Sequence, residues 1–202
     1  MRETNNTDEA PVTGFILAGG QSTRMGTDKA FLQLGGETLL ARSLKEMNAV
    51  VAEVRIVGSV AKFGDYGPVV EDIYPNRGPL GGIHAALKSS ATDLNLVLAV
   101  DLPFVEERFL HYLIRRARAA AAAITVPRAS GGWQPLCAVY RRTFAAAADQ
   151  SLLKGRNRID AVFAEVEIET IEESELTQIG FSPGMFGNLN TLADWEQARN
   201  RL

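Results

Sequence analysis

The stretch GFILAGGQSTRMGTDKAFLQL, residues 14–34, runs from an apolar strand straight into a basic, glycine-rich loop. Phe15-Ile16-Leu17-Ala18 has the continuous apolar character of a strand buried on both faces, and Gly19-Gly20 ends it. Arg24, Gly26, Asp28 and Lys29 follow before Phe31-Leu32 turns apolar again. Two familiar phosphate loops are excluded. The glycines do not fall at the G-x-G-x-x-G offsets of a dinucleotide turn, and no glycine is followed by Lys-Ser or Lys-Thr as in a P-loop. What remains is L-A-G-G-x-S-x-R-M-G-x-D-K over residues 17–29. Glycines there let backbone N–H groups turn onto an anion, with Arg24 and Lys29 adding charge. A glycine-rich turn carrying solvated charges has the same local composition.

Working outward, the pattern after Val12–Ala18 alternates strands with helices. Thr38–Met47 has apolar residues at 39, 40, 44 and 47, the spacing of an amphipathic helix capped by Thr38. Strands are expected at 54–58, 69–71 and 94–100, a helix at 81–88 entered through Gly78-Pro79, and a helix at 106–117 leading to a strand at 123–126. The last third is less regular: a strand at 136–140, helices at 143–153 and 158–163, a half-exposed strand at 165–171, and a closing helix at 192–199 capped by Thr191. Such alternation predicts an α/β fold, a mainly parallel sheet with helices on both faces. Ligands of these sheets sit outside the carboxyl ends of the strands, where Gly19, Asp72 and Asp101 all fall.

Composition narrows the partners. The 202 residues suffice for one α/β domain, expected over 12–202 behind a frayed, disordered tail at 1–11 that lacks the apolar core of a secretory signal. A net charge of −3 supplies no general attraction for nucleic acid or an acidic membrane, so a polyanion site must be local. The Ala119–Ala123 run is too short to span a bilayer. The single cysteine, Cys137, excludes an internal disulfide and suits a reducing cytoplasm.

The L-A-G-G-x-S-x-R-M-G-x-D-K loop resembles the signature of nucleotidyltransferases with a GT-A-like fold, and within them the molybdenum cofactor guanylyltransferases (the MobA family). Three further segments are similar to that family's motifs in the same order: EDIYPNRGPLGGI at 71–83, LAVDLPFV at 98–105 and NLNTLADW at 188–195. Val100 stands where the family commonly has cysteine. The resemblance implies a Rossmann-like three-layer domain of the nucleotide-diphospho-sugar transferase type, a cytoplasmic enzyme, and the substrates GTP and molybdopterin. It also implies transient contact with molybdopterin-supplying and molybdoenzyme-chaperone proteins.

Residue roles follow from the same resemblance. Asp101 is the expected Mg²⁺ ligand, although position alone also fits a helix N-cap or turn former. Lys29 is expected on the nucleotide phosphates and Arg24 in the same electropositive site, toward the leaving pyrophosphate; an unremarkable surface lysine is the alternative. The nucleotide site is expected to take in Leu17, Ala18, Gly19, Gly20, Lys29, Asp72, Gly78, Pro79, Leu80 and Asp101, with Asp72 on the guanine or ribose. A plain Pro-Gly helix start explains 78–82 locally as well. Asn188 and Asn190, two apart as on a strand, are placed at the acceptor. Trp133, Gln134 and Pro135 fall where the family has its acceptor-side loop, and His84 and His111 have no catalytic assignment.

The implied reaction is attack of the molybdopterin phosphate on the α-phosphorus of GTP, releasing pyrophosphate, with Mg²⁺ and no protein nucleophile. Molybdopterin cytidylyltransferases tend to carry L-A-A-G where this chain has Leu17-Ala18-Gly19-Gly20, and the second glycine leaves room for a purine. Sugar-phosphate nucleotidyltransferases are usually longer and lack the GPLGG and NLNT pairing. A nucleotide or cofactor carrier without turnover is the reading from a different class.

Overall fold

The computed structural model describes residues 10–19, 28–189 and 191–199. Gly20 and Arg24 of the glycine-rich loop, Asn190, and residues 1–9 of the expected tail lie outside the described residues. Ala10, the first described residue, lends its carbonyl to the Arg118 guanidinium at 3.0 Å.

In chain order the elements are β1 (Val12–Leu17), a small hairpin of β2 (Gln33–Leu34) and β3 (Glu37–Thr38), α1 (Leu39–Val50), β4 (Glu53–Val57), α2 (Val60–Phe63), β5 (Val69–Val70), α3 (Gly78–Ser89), β6 (Leu94–Ala99) and α4 (Glu107–Ala119). There follow β7 (Ile124–Ala129), β8 (Gly132–Trp133), β9 (Cys137–Arg141), α5 (Phe144–Leu153), α6 (Asp160–Phe163), β10 (Ile168–Ile171), α7 (Glu173–Gln178) and α8 (Leu192–Arg199). The main sheet has the order β10-β7-β9-β6-β1-β4-β5, with β8 paired onto β7. Its pairings are parallel except where β9 runs against β6 and β7, and where β8 turns back on β7.

Every residue of β1 and of β6 is buried, as the unbroken apolar runs predict for strands covered on both faces. The covering layers can be read from β1 itself. Gly14 faces α1, where an added Cβ would meet Met47 and Val51, while Leu17, on the opposite face by strand alternation, lies against Gly82 of α3. Helix α1 also packs on α4, and α3 on α5. The result is three layers with the mixed, mostly parallel sheet in the middle. Among the described residues, no helix is long and apolar enough to cross a membrane.

Local signals account for several element ends. Thr38 caps α1, its hydroxyl accepting from Ala41 N–H at 3.1 Å. Thr191 and Asp194 form a reciprocal capping box at α8, with bonds of 3.1 and 2.8 Å. The Arg116 guanidinium of α4 joins Glu169 of β10, Glu175 of α7 and the Tyr112 hydroxyl, which ties edge strand β10 to the helical layer.

Some expectations need correction. The strand-like spacing of Asn188 and Asn190 has no strand beneath it among the described residues: 187–189 are irregular, and the Leu189 N–H leaves the local chain to bind the Asp101 carbonyl at 3.1 Å. The third strand stops at Val70, opposite the last residue of β4, and Glu71 beyond it accepts from Val60 N–H at 3.1 Å. The α3 helix starts at Gly78 rather than 81, and only the last four residues of 165–171 pair as a strand. The β2–β3 hairpin, α2 and α7 were not anticipated; each is too short to show a period.

Candidate active site

Strand β1 sits where the connections diverge, with β4 on one side and β6 on the other. This is the topological switch point, and the crevice beyond its carboxyl edge is where a ligand is expected in such sheets. The edge is stitched across strands. The amides of Ala18 and Gly19 both donate to the Val57 carbonyl, at 3.0 and 2.9 Å. The Leu17 carbonyl accepts from Val100 N–H at 3.1 Å, and the Gly58 amide donates to Val70 O at 3.0 Å. These bonds define what the loop's first residues can do. Leu17 and Ala18 are buried, and the amides of Ala18 and Gly19 are committed to Val57. Those two amides are therefore not free to donate to an anion.

Lys29 and Asp101, 72 residues apart, meet at this edge with Nζ 3.3 Å from Oδ2. Each side chain is 19% exposed, so both are reachable without being freely solvated. Two local features aim them. Lys29 opens a single 3₁₀ turn, 29–31, capped by Asp28, whose carboxylate accepts from Ala30 N–H at 3.2 Å and pairs with Lys62 of α2 at 2.7 Å. Asp101 follows β6 in a turn closed by Leu102 N–H on Ala99 O. Asp101 stands well before α4, whose N-cap is Glu106, so it does not cap that helix; it lies in the turn after β6 with its carboxylate on Lys29.

Asp72 lies just past β5 on the same edge. A Cβ added to Gly82 would sit 3.6 Å from its Oδ1 and 3.3 and 3.5 Å from Val57 and Leu17. Gly81 and Gly82 thus let the start of α3 close on the ends of β1 and β4, with Cβ positions also near Tyr74 O and the Arg77 stem. The loop reaches α3 through two left-handed residues, Asn76 at φ 61° and Gly78 at φ 64°. Partial desolvation raises the Asp72 carboxyl above the ordinary aspartate value of 3.8, and no described side chain or amide hydrogen-bonds to it.

The β7–β8 hairpin and the start of β9 reach the same edge, since β9 runs antiparallel to β6. Gln134 holds the hairpin, donating to the Ala129 carbonyl at 3.0 Å, and Trp133 packs edge-on against Phe163 beneath the Arg128 guanidinium. Asn188 is exposed and is joined to the site through its neighbour, whose amide binds Asp101 O. Among the described residues no group of three or more His, Cys, Asp or Glu forms a closed metal cage. A lone strand-end carboxylate is nevertheless the kind of donor Mg²⁺ takes when substrate phosphates and water complete its shell. The donor set fits that ion.

Sequence reasoning missed Tyr74 and the tie between Lys62 and Asp28. Tyr74 carried a visible signal, an aromatic residue inside the EDIYPNRGPLGG segment; the Lys62 pairing depends on α2, which has no sequence period.

Comparison with known proteins identifies the domain. The family model for the MobA-like NTP transferase domain matches residues 14–169. A probable molybdenum cofactor guanylyltransferase of Pelotomaculum thermopropionicum is 36% identical over 93% of this chain and 91% of its own length. A molybdenum cofactor guanylyltransferase of Desulfosudis oleivorans is 33% identical over 93% of this chain and 94% of its own. The crystal structure of molybdopterin-guanine dinucleotide biosynthesis protein A from Archaeoglobus fulgidus shares the fold, with a TM-score of 0.82 at 23% identity, over 94% of this chain and 97% of that one. With a matching domain over most of its length and relatives this similar, the chain belongs to the MobA-like NTP transferase family.

Proposed function

We propose that the protein transfers GMP from GTP to the terminal phosphate of molybdopterin, forming molybdopterin guanine dinucleotide and pyrophosphate. The observation that carries this reading is the meeting of Lys29 and Asp101 beside the end of β1, in a chain whose curated relatives are named guanylyltransferases. A molybdopterin phosphate oxygen attacks the α-phosphorus of GTP, the bond to the β-phosphate oxygen breaks in line, and pyrophosphate leaves with the electron pair. No protein nucleophile is required, so the side chains act by placing two polyanions and neutralising charge that grows toward the leaving group.

In this reading Asp101 would hold Mg²⁺, with substrate phosphates completing its shell. The ion, when bound, supplies Lewis-acid stabilisation of phosphate charge. The ammonium of Lys29, paired with Asp101 in the structure, moves its charge to the phosphates once they arrive. Arg24 joins the pyrophosphate side, and Leu17, Ala18, Gly19 and Gly20 floor and rim the triphosphate site. Asp72 receives the guanine or ribose beside Gly78, Pro79 and Leu80, and Asn188 and Asn190 face the acceptor. Residues 12–202 act as one catalytic unit in the cytoplasm, supplied and relieved of cofactor by transient contacts with other proteins.

The test is pyrophosphate release with molybdopterin, Mg²⁺ and each nucleoside triphosphate. GTP preference is expected. CTP preference would move the protein to the cytidylyltransferases, and tight binding without release would make it a carrier. Asp101→Ala should lower the rate by about 10²-fold or more. The fold should survive, since a partly exposed ion pair contributes only about 1 kcal/mol. Retained turnover in that variant would remove Asp101 from the metal site.

A further inference from the structure

The loop between β5 and α3 is held at two points with Asp72 between them. At its start, Glu71 accepts from Val60 N–H of α2. Farther on, the Tyr74 hydroxyl donates to Asp149 Oδ1 of α5 at 2.8 Å, a contact between residues 75 apart in sequence. The same carboxylate oxygen lies 3.3 Å from Nε2 of His84, which is only 2% exposed on α3, and the Tyr74 and His84 rings pack at 5.3 Å. Neither His84 nitrogen makes a well-directed hydrogen bond, so the hydrogen bond that reaches Asp149 from this cluster comes from Tyr74. Asp72, by contrast, is exposed at the edge and has no hydrogen-bond partner among the described residues. A loop pinned on both sides of an unpartnered carboxylate is arranged to present that carboxylate to something else.

We propose that Asp149, acting through Tyr74, is a positioning residue for nucleotide binding: the tether from α5 sets where loop 71–77 presents Asp72 at the ligand edge. This inference rests on the guanylyltransferase reading for the identity of the ligand, but the tether itself does not. Because the Tyr74 hydroxyl is a neutral donor, an amide oxygen at position 149 still accepts from it, though less strongly than the carboxylate, and its NH₂ can face a neutral His84. Loss of one such hydrogen bond weakens binding by about 2- to 10-fold.

The experiment compares the full chain with Tyr74→Phe, Asp149→Ala and Asp149→Asn. Steady-state pyrophosphate release gives kcat and separate KM values for GTP and molybdopterin, and hydrogen–deuterium exchange follows the amides of residues 71–77. Tyr74→Phe and Asp149→Ala should raise KM for GTP by about 2- to 10-fold. The molybdopterin KM and kcat should stay within about twofold, and exchange in 71–77 should quicken. Asp149→Asn should restore both readouts. Unchanged exchange in 71–77, an unchanged GTP KM, a loss falling equally on kcat and the molybdopterin KM, or Asp149→Asn as impaired as Asp149→Ala would each overturn the tether. Absence of GTP turnover in the unmodified protein would instead overturn the guanylyltransferase reading, while the exchange comparison still decides whether Asp149 holds the loop.

Discussion

His84 is a titratable residue held in the interior. It is buried on α3 beside the Asp149 carboxylate, with Tyr74 against its ring and Lys88 one turn along the helix. Desolvation lowers its pKa from 6.5; Asp149 opposes this and Lys88 adds to it. Between the lowered value and 6.5 the native protein binds fewer protons than the unfolded chain, so stability rises with pH there. The contribution is complete above 6.5 and is lost as pH falls below it. Replacing the imidazole by His84→Gln removes this slope, which for one proton cannot exceed about 1.4 kcal/mol per pH unit. Urea unfolding of both proteins from pH 8 downward should give parallel stabilities above 6.5 and a decline in the His-containing chain relative to the variant below it. Parallel curves throughout would show that burial does not govern this histidine. Asp72 obeys the opposite sign. Its raised pKa makes the charged carboxylate a native-state cost at neutral pH, so Asp72→Asn should leave the melting temperature equal or higher while weakening nucleotide binding. A fall in melting temperature would mean that Asp72 serves the fold and not a ligand.

At the scale of elements, the site depends on how closely chain segments approach beyond the sheet edge. Gly58, immediately after β4, faces Gly19, and a Cβ there would lie 2.7 and 2.8 Å from the Phe63 ring of α2. Phe63 is fully buried and flanked by Phe31, so it cannot simply swing away. Gly58→Ala should therefore cost about 1–3 kcal/mol, read from urea unfolding. It should also loosen the Lys62 contact to Asp28, which caps the Lys29 turn, and hence lower nucleotide affinity. An unchanged midpoint would show that α2 is free to shift. This closeness explains what was and was not legible in the sequence. Strands β1 and β6, helix α1 and its Thr38 cap could be read directly, because apolar run, period and cap residue all agree. Asp101 and Asp72 could be placed at one edge for the same reason. The α2 turn and the β2–β3 hairpin could not, because each is too short to show a period, and the irregular path around Asn188 could not, because it is set by a tertiary bond, Leu189 N–H to Asp101 O. The Gly81-Gly82 pair was legible as the start of a helix but not as the reason α3 can close on Leu17 and Val57. Likewise, residues 17–19 could be assigned to the site, but their amides are already engaged across strands.

For the whole molecule, the proposed site joins segments from every part of the chain: the end of β1, the Lys29 turn, the β5–α3 loop, the end of β6 and the segment before α8. Only the folded chain brings these together, so a nucleotide that bridges them binds the native state and not the unfolded one. Mass action then requires stabilisation of about 2.7 kcal/mol when free ligand is about 100 times its dissociation constant. In a chain of this size, 1 kcal/mol moves the melting temperature by about 2–4 °C, so GTP with Mg²⁺ should raise it by about 5–10 °C. CTP at the same concentration should raise it less, because discrimination lies in the base contacts while the phosphates are common to both. Lys29→Ala should abolish most of the GTP shift with little change in the nucleotide-free melting temperature, as the Lys29–Asp101 pair is worth only about 1 kcal/mol to the fold. Differential scanning fluorimetry of the two proteins against both nucleotides separates these terms. Equal shifts with GTP and CTP would place the selectivity in the acceptor step rather than in the nucleotide site, and a full GTP shift in Lys29→Ala would remove that lysine from the triphosphate.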